Sequence, residues 1–265
     1  MSLFGKPSSA GRAGYLPVLT YHSLDDTGSV LSTPPAVFAE HMRILCDQGV
    51  ATMSLAEAAK ALQRGSLPAR AVAISFDDGF RSTYESGLPV LARYGFTATV
   101  FLVTDYCERD NSWPSQPAGV LRRPLLRWSE VRALSQAGLF IGSHTRTHPD
   151  LTRLSARAAE AEMVGSKRAI EDEIQRPVDA FAYPYGYCNE TVKRLASDHF
   201  TVACSTTLGF ASSASDPLAL ERLDMYYVRS PALFRHVFAV EGRAYVRLRR
   251  FARDLRRWAV ARRSR

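Results

Sequence analysis

From Leu16 onward the chain alternates between short apolar runs and longer segments whose apolar residues recur at helical spacing. The strand-like runs are "LPVLTYH", "AVAISF", "TATVFLV", "LFIGSH", "AFAYPYG", "FTVACST" and "LERLDMYYV". Between them lie "PAVFAEHMRILCDQG", "LAEAAKALQRG", "STYESGLPVLARYG", "SEVRALSQAG", "SARAAEAEMVGSKRAIEDEIQR" and "ETVKRLAS". A helix after every strand returns the chain to the same end of the sheet, so the strands run parallel. About seven such units in 265 residues predict a closed α/β barrel rather than an open sheet. Ser54 with Glu57 predicts a capping box, and Gly49, Gly65, Gly95 and Gly138 stand where helices should end. The division expected is a disordered leader over 1–15, one barrel over 16–240, and an arginine-rich helical tail over 241–265.

A parallel barrel gathers its reactive groups at the C-terminal ends of its strands. Asp77 and Asp78 end one strand, and His22, His144 and Tyr185 end others. The irregular stretch 104–127 is long for a compact domain and predicts a rim around that mouth.

Two adjacent carboxylates at a buried strand end repel unless a positive charge neutralises one. "SHTRTHP" places His144 and His148 four residues apart, which on a helical turn would bring both rings to one face. Two imidazoles and one carboxylate make a three-ligand set with an open position, the pattern of a catalytic rather than a structural zinc site. One aspartate would then hold the cation while its neighbour takes a proton from water.

Taken together, "SFDDGF", "SHTRTHPDL" and "FAYPYG" resemble the first three motifs of the polysaccharide deacetylase family (the NodB-homology domain, carbohydrate esterase family four). The resemblance spans residues 16–228. It implies a single distorted (β/α)7 barrel of parallel strands and metal-dependent removal of N-acetyl groups from an aminosugar. Carried over, Asp77 is the general base, and Asp78, His144 and His148 bind one divalent ion, zinc first, with cobalt, nickel or iron as alternatives. Pro184 and Tyr185 of "PYG" stand at the oxyanion position, with the Tyr185 N–H as donor.

Two features depart from the family pattern. Many members carry an arginine where this chain has Ala182, and many take their general acid from a histidine on the last strand. After residue 228 the only histidine here is His236, in a segment that reads as a helix. The "TYH" opening with "FAYPYG" resembles the circularly permuted branch that deacetylates poly-N-acetylglucosamine, which points to His22 as the acid. In "LERLDM", Arg222 would replace the missing arginine beside Asp77, and Asp224 would hydrogen-bond His22 and hold it as a proton donor. An ordinary structural salt bridge is the other reading of that pair. Trp113, with Tyr106, is expected on the rim facing sugar rings. Phe80 and Tyr187 are expected at the floor, and Trp128 at the start of a helix.

Net charge is +8, yet residues 242–265 hold ten arginines against one aspartate, +9, so the other 241 residues sum to −1. Tyr245, Leu248, Phe251, Leu255 and Trp258 recur there at steps of three and four among arginines. Such a helix either packs its stripe on the barrel or attaches to an anionic membrane surface. No nucleic-acid recognition motif accompanies the charge, so nucleic acid is not an expected partner. Four scattered cysteines without a close pair argue against a zinc knot or a disulfide framework. The N-terminus shows no secretory pattern and no apolar run approaches the roughly 18 residues of a membrane span, so a cytoplasmic location is expected. The same metal set would serve an amidase on a small non-sugar amide, and an inactive barrel that binds glycan or membrane is the non-enzymatic alternative.

Overall fold

The computed structural model describes residues 14–263, with side chains placed through residue 255. Seven parallel strands close in sequence order: β1 (Val18–Tyr21), β2 (Ala71–Phe76), β3 (Thr99–Leu102), β4 (Phe140–Ser143), β5 (Ala180–Ala182), β6 (Val202–Leu208) and β7 (Leu220–Asp224). The seam joins last strand to first through Leu223 beside Leu19 and Asp224 beside Thr20. The first five crossovers are helical: α1 (Pro35–Asp47) and α2 (Leu55–Gln63) follow β1, then α3 (Leu88–Tyr94), α4 (Trp128–Gln136), α5 (Ala156–Ile174) and α6 (Glu190–His199), while the sixth, 209–219, carries no helix. The capping box of Ser54 and Glu57 is formed, and the four expected glycines all take positive φ. The chain after β7 forms α7 (Met225–Val228), α8 (Pro231–Phe234) and α9 (Val240–Arg263).

Two elements lay outside the expected pattern. Ala51–Met53 pairs in parallel with the first half of β2, and Tyr15–Leu16 pairs antiparallel with Ala211–Ser212. Order therefore begins before residue 16, and the expected leader is too long by at least Tyr15; residues 1–13 lie outside the described part. Between β2 and α3 a π-turn over Thr83–Gly87 interrupts the expected single helix just ahead of Pro89, whose ring cannot supply a backbone donor.

Side chains alternate across each strand, and the inward register decides what reaches the mouth. Val18, Ala73, Phe101, Ala180, Ala182, Val202, Cys204 and Leu220 share a buried inner cluster, closed at one end by Leu55 and Leu62 of α2. Leu19, Ile74, Val100, Ile141, Phe181 and Leu223 belong to the outer core beneath the helices. The barrel is narrow, so most inward residues are small. A Cβ at Gly142 would stand 2.5 Å from the Phe101 ring, which is why β4 has no side chain there. Continuing by twos along the inward register reaches His22 from β1, Asp77 from β2, His144 from β4 and Arg222 on β7.

Candidate active site

The inward register delivers Asp77 and Arg222 to the same buried point. Arg222 Nη1 donates to Asp77 Oδ1 and Nη2 to Oδ2, both at 2.7 Å. A register irregularity in β6, where Cys204 pairs with Leu220 but Leu208 with Arg222, accompanies a third bond: Ser205 O accepts Arg222 Nε at 2.9 Å. Burial alone would raise the Asp77 carboxyl, but the charge and hydrogen bonds of Arg222 outweigh it and hold the group ionised, well below the usual range. The arginine that pairs with Asp77 comes from the last strand, and Ala182 of the third motif is buried in the inner cluster.

Asp78, His144 and His148 converge beside that pair. Asp78 Oδ1 lies 3.4 Å from His144 Nε2 and 3.5 Å from His148 Nε2, and the two Nε2 atoms are 3.2 Å apart. All three residues are buried. The two rings do not share a helical turn, contrary to the spacing argument. "SHTRTH" is an irregular loop with left-handed Thr145 (φ 70°) and His148 (φ 58°), in which Thr145 Oγ1 accepts the His148 N–H. The chain must leave β4 and turn outward at once. Glu162 of α5 stabilises that turn by accepting the N–H groups of Arg146 and Thr147.

His144 Nδ1–H donates to Ala182 O at 2.7 Å, so its Nε2 presents a lone pair toward Asp78. Two imidazole nitrogens 3.2 Å apart cannot both carry protons. Burial and the His144 neighbour push His148 down to about 3, so its ring is neutral, whereas the Asp78 carboxyl is held below its usual range, its burial outweighed chiefly by the neighbouring His144 imidazole. Two nitrogen lone pairs and a carboxylate oxygen, all within 4.8 Å of one another, form a donor set for one divalent cation. Trp113 lies against the His148 ring, tilted by 34°, at 4.6 Å between centroids, and Tyr185 meets it edge-on at 4.6 Å.

The remaining expected residues fall as follows. His22 stands at the mouth with Nε2 4.0 Å from Asp77 Oδ2. Asp224 does not bond His22: its Oδ1 accepts the Tyr226 N–H at 2.8 Å and caps α7, because the strand ends there and a helix begins. Pro184 is buried, and Tyr185 adopts φ 59° at the mouth; its N–H meets no protein acceptor among the described residues. Phe80 lines no part of the mouth. It is fully buried behind it with Val103, Trp113 and Leu125, tied to the rim by its bridge to Leu125. Trp113 is only 2% exposed, so it backs His148 instead of offering an open face to sugars. Tyr187 is half exposed, and Trp128 does begin α4.

The mouth is a cavity of about 260 Å³ that also admits Gln116, Tyr183 and Thr206. Sequence reasoning singled out the 104–127 rim but none of these three. It also missed Ser115, which donates to His148 O at 2.5 Å and accepts the Tyr185 hydroxyl. Gln116 and Ser115 belong to that rim and Thr206 to the inward register of β6, whereas the only signal for Tyr183 was its place in "FAYPYG", on the outward register after Ala182. A larger apolar cavity of about 370 Å³, between Phe210, Val237 and Tyr245, shares no lining residue with the mouth.

Comparison with known proteins places these features in context. A family profile described as polysaccharide deacetylase matches residues 64–202. A Bacillus subtilis protein, YxkH, whose name assigns it to the polysaccharide deacetylases, is 30% identical over 210 residues, covering 78% of this chain and 70% of its own. The poly-β-1,6-N-acetyl-D-glucosamine N-deacetylase of Staphylococcus aureus is 25% identical over 177 residues, 63% of this chain, and this chain spans only 55% of that relative. Among solved structures, Streptococcus pyogenes deacetylase PplD in complex with acetate superposes with TM-score 0.73 at 26% identity, covering 83% of this chain and 96% of its own. IcaB from Ammonifex degensii shares the fold at TM-score 0.70 and 20% identity, over 86% and 97% of the two chains.

Proposed function

This chain belongs to the polysaccharide deacetylase family, and we propose that it hydrolyses N-acetyl groups from an aminosugar polymer with one divalent metal ion. The observation that carries the reading is a buried, ionised Asp77 placed one residue from the Asp78, His144 and His148 donor set at a barrel mouth. The name of the staphylococcal relative supports an N-acetylglucosamine polymer as the substrate class.

Asp78, His144 and His148 would hold the ion, zinc first, with cobalt, nickel or iron as alternatives. Bound there, the ion would polarise the acetyl carbonyl and acidify water. Asp77 accepts the proton of the attacking water on a lone pair that Arg222 leaves open, since a carboxylate offers about four such sites. Arg222 fixes the direction of that lone pair. The Tyr185 N–H donates to the carbonyl oxygen as it gains charge. His22 gives the departing amine its proton. Water adds to the acetyl carbon, the C–N bond breaks, and acetate and a free amine leave.

Incubating the zinc-loaded protein with N-acetylated β-1,6- and β-1,4-linked glucosamine oligomers and measuring acetate release tests the reading. Release from small non-sugar amides alone, or from no acetylated sugar despite bound metal, would overturn it.

A further inference from the structure

The C-terminal helix carries an apolar face that points away from the barrel. Tyr245 and Val246 make its contacts: the Tyr245 hydroxyl donates to Tyr227 O, and Val246 is buried. Arg253 Nη1 donates to Thr206 O on β6. On the opposite side Val240, Leu248, Phe251 and Leu255 are 67%, 67%, 66% and 53% exposed. At 3.6 residues per turn these four and Ala244 fall within an arc of roughly 80°. Of the two readings of this stripe, packing on the barrel is not the one that exposed Leu248, Phe251 and Leu255 follow; only Tyr245 turns inward, and the Trp258 side chain lies outside the described part.

We propose that α9 is a docking surface for an anionic lipid bilayer, lying flat in the headgroup region with this stripe inward. A buried helix would hide such a stripe, and a solvated one would lack it. Exposed Arg247 borders the stripe, and exposed Arg250 stands farther round the same side with its Nε 3.8 Å from Asp254 Oδ2; exposed Arg249 lies toward the barrel side, its Nε donating to the Tyr245 hydroxyl. The 24 residues from Gly242 carry +9 while the rest of the chain sums to −1, so the charge is confined to the segment that bears the stripe. Exposed apolar residues flanked by arginines meet both demands of an anionic interface, acyl chains below and phosphates beside. Pairing with α9 of a second copy would bring +9 against +9, which disfavours self-association. No described helix is long and apolar enough to cross a membrane, so the attachment is to the surface.

Sedimentation of the full chain with vesicles of phosphatidylcholine, alone or mixed with phosphatidylglycerol, reads the proposal directly. Binding is expected only to the mixed vesicles and is lost near 1 M salt, where screening shortens to about 3 Å. Replacing Leu248, Phe251 and Leu255 together by serine abolishes it without changing the melting temperature, because none of the three packs on the barrel. Arg247→Ala with Arg250→Ala lowers the partition coefficient about 25-fold, about fivefold for each arginine. Equal binding to neutral vesicles, or binding that survives the triple serine change, would overturn the proposal. So would a dimer in light scattering that Phe251→Ser dissolves with no vesicle binding at all, or retention on an anionic polysaccharide that ignores the stripe.

Discussion

Arg222 and Asp77 lie 145 residues apart in the chain and meet through two parallel hydrogen bonds of 2.7 Å inside the barrel. Each charge is out of water, and each is tolerable only because of the other. The pair ties the last strand to the second across the mouth rather than along the sheet.

Cutting that tie exposes its weight. Arg222→Met leaves a buried carboxylate without a partner and should destabilise the fold by roughly 3–5 kcal/mol in urea unfolding. Adding Asp77→Asn to the same chain should recover most of the loss, since the orphaned charge disappears. Arg222→Lys should fall between, because an ammonium cannot grip both oxygens at once. A double variant no more stable than Arg222→Met alone would show that the pair is not the source of the cost.

The donor set and the base should separate in metal analysis. Asp78→Ala, His144→Ala and His148→Ala are each expected to lower zinc content after loading and dialysis. Asp77→Asn should keep its zinc and lose turnover. Zinc loss in Asp77→Asn equal to that of the three ligand variants would reverse the assignment of the two aspartates.

His22→Ala should keep fold and zinc yet lose on the order of 10²–10⁴ in kcat on an acetylated amine. An activated aryl acetate, whose leaving group needs no proton, should show a much smaller loss. His236→Ala should change little, as His236 is exposed in a turn after α8. An essential His236 beside a dispensable His22 would move the acid to the C-terminal segment.

Acid stability should depend on a histidine outside the mouth. His41 of α1 is buried, stacked on Phe234 at 3.9 Å, with Tyr21 donating to its Nδ1 and its Nε2–H donating to Arg229 O. Burial pushes this imidazole down from 6.5 to about 4. Above pH 6.5 it is neutral folded or unfolded, so its full contribution is present. Between 6.5 and 4 the unfolded chain binds a proton that the folded chain refuses, and stability falls by about 3 kcal/mol before levelling. His41→Gln should flatten that slope in chemical unfolding measured across the range. An unchanged slope would place the acid sensitivity elsewhere.

The barrel was legible because period-2 and period-3.6 patterns alternate cleanly, and those strand ends carry the site. Asp77, Asp78, His144 and Arg222 could be named because each lies within two residues of a strand end, and His148 because of its four-residue spacing from His144. The errors share a cause. The step from His144 to His148 is made by two left-handed residues, and no spacing rule reports φ. Asp224 does end β7, but its side chain caps α7 instead of bonding His22, and Trp113 reads as a rim aromatic but is buried against His148. In each case the partner is fixed by tertiary contact, which a linear pattern does not encode.

Because β7 closes the seam, the order of synthesis bears on the chemistry. A nascent chain that has left the ribosome only through residue 219 already holds Asp77, Asp78, His144 and His148, but β1 and β6 still face each other across an open gap. Its Asp77 has no counter-charge, and nothing yet sets the direction of its carboxylate. Five more residues bring Arg222 and the two pairings that shut the barrel. In this fold the counter-charge of Asp77 thus arrives on the same strand that closes the seam.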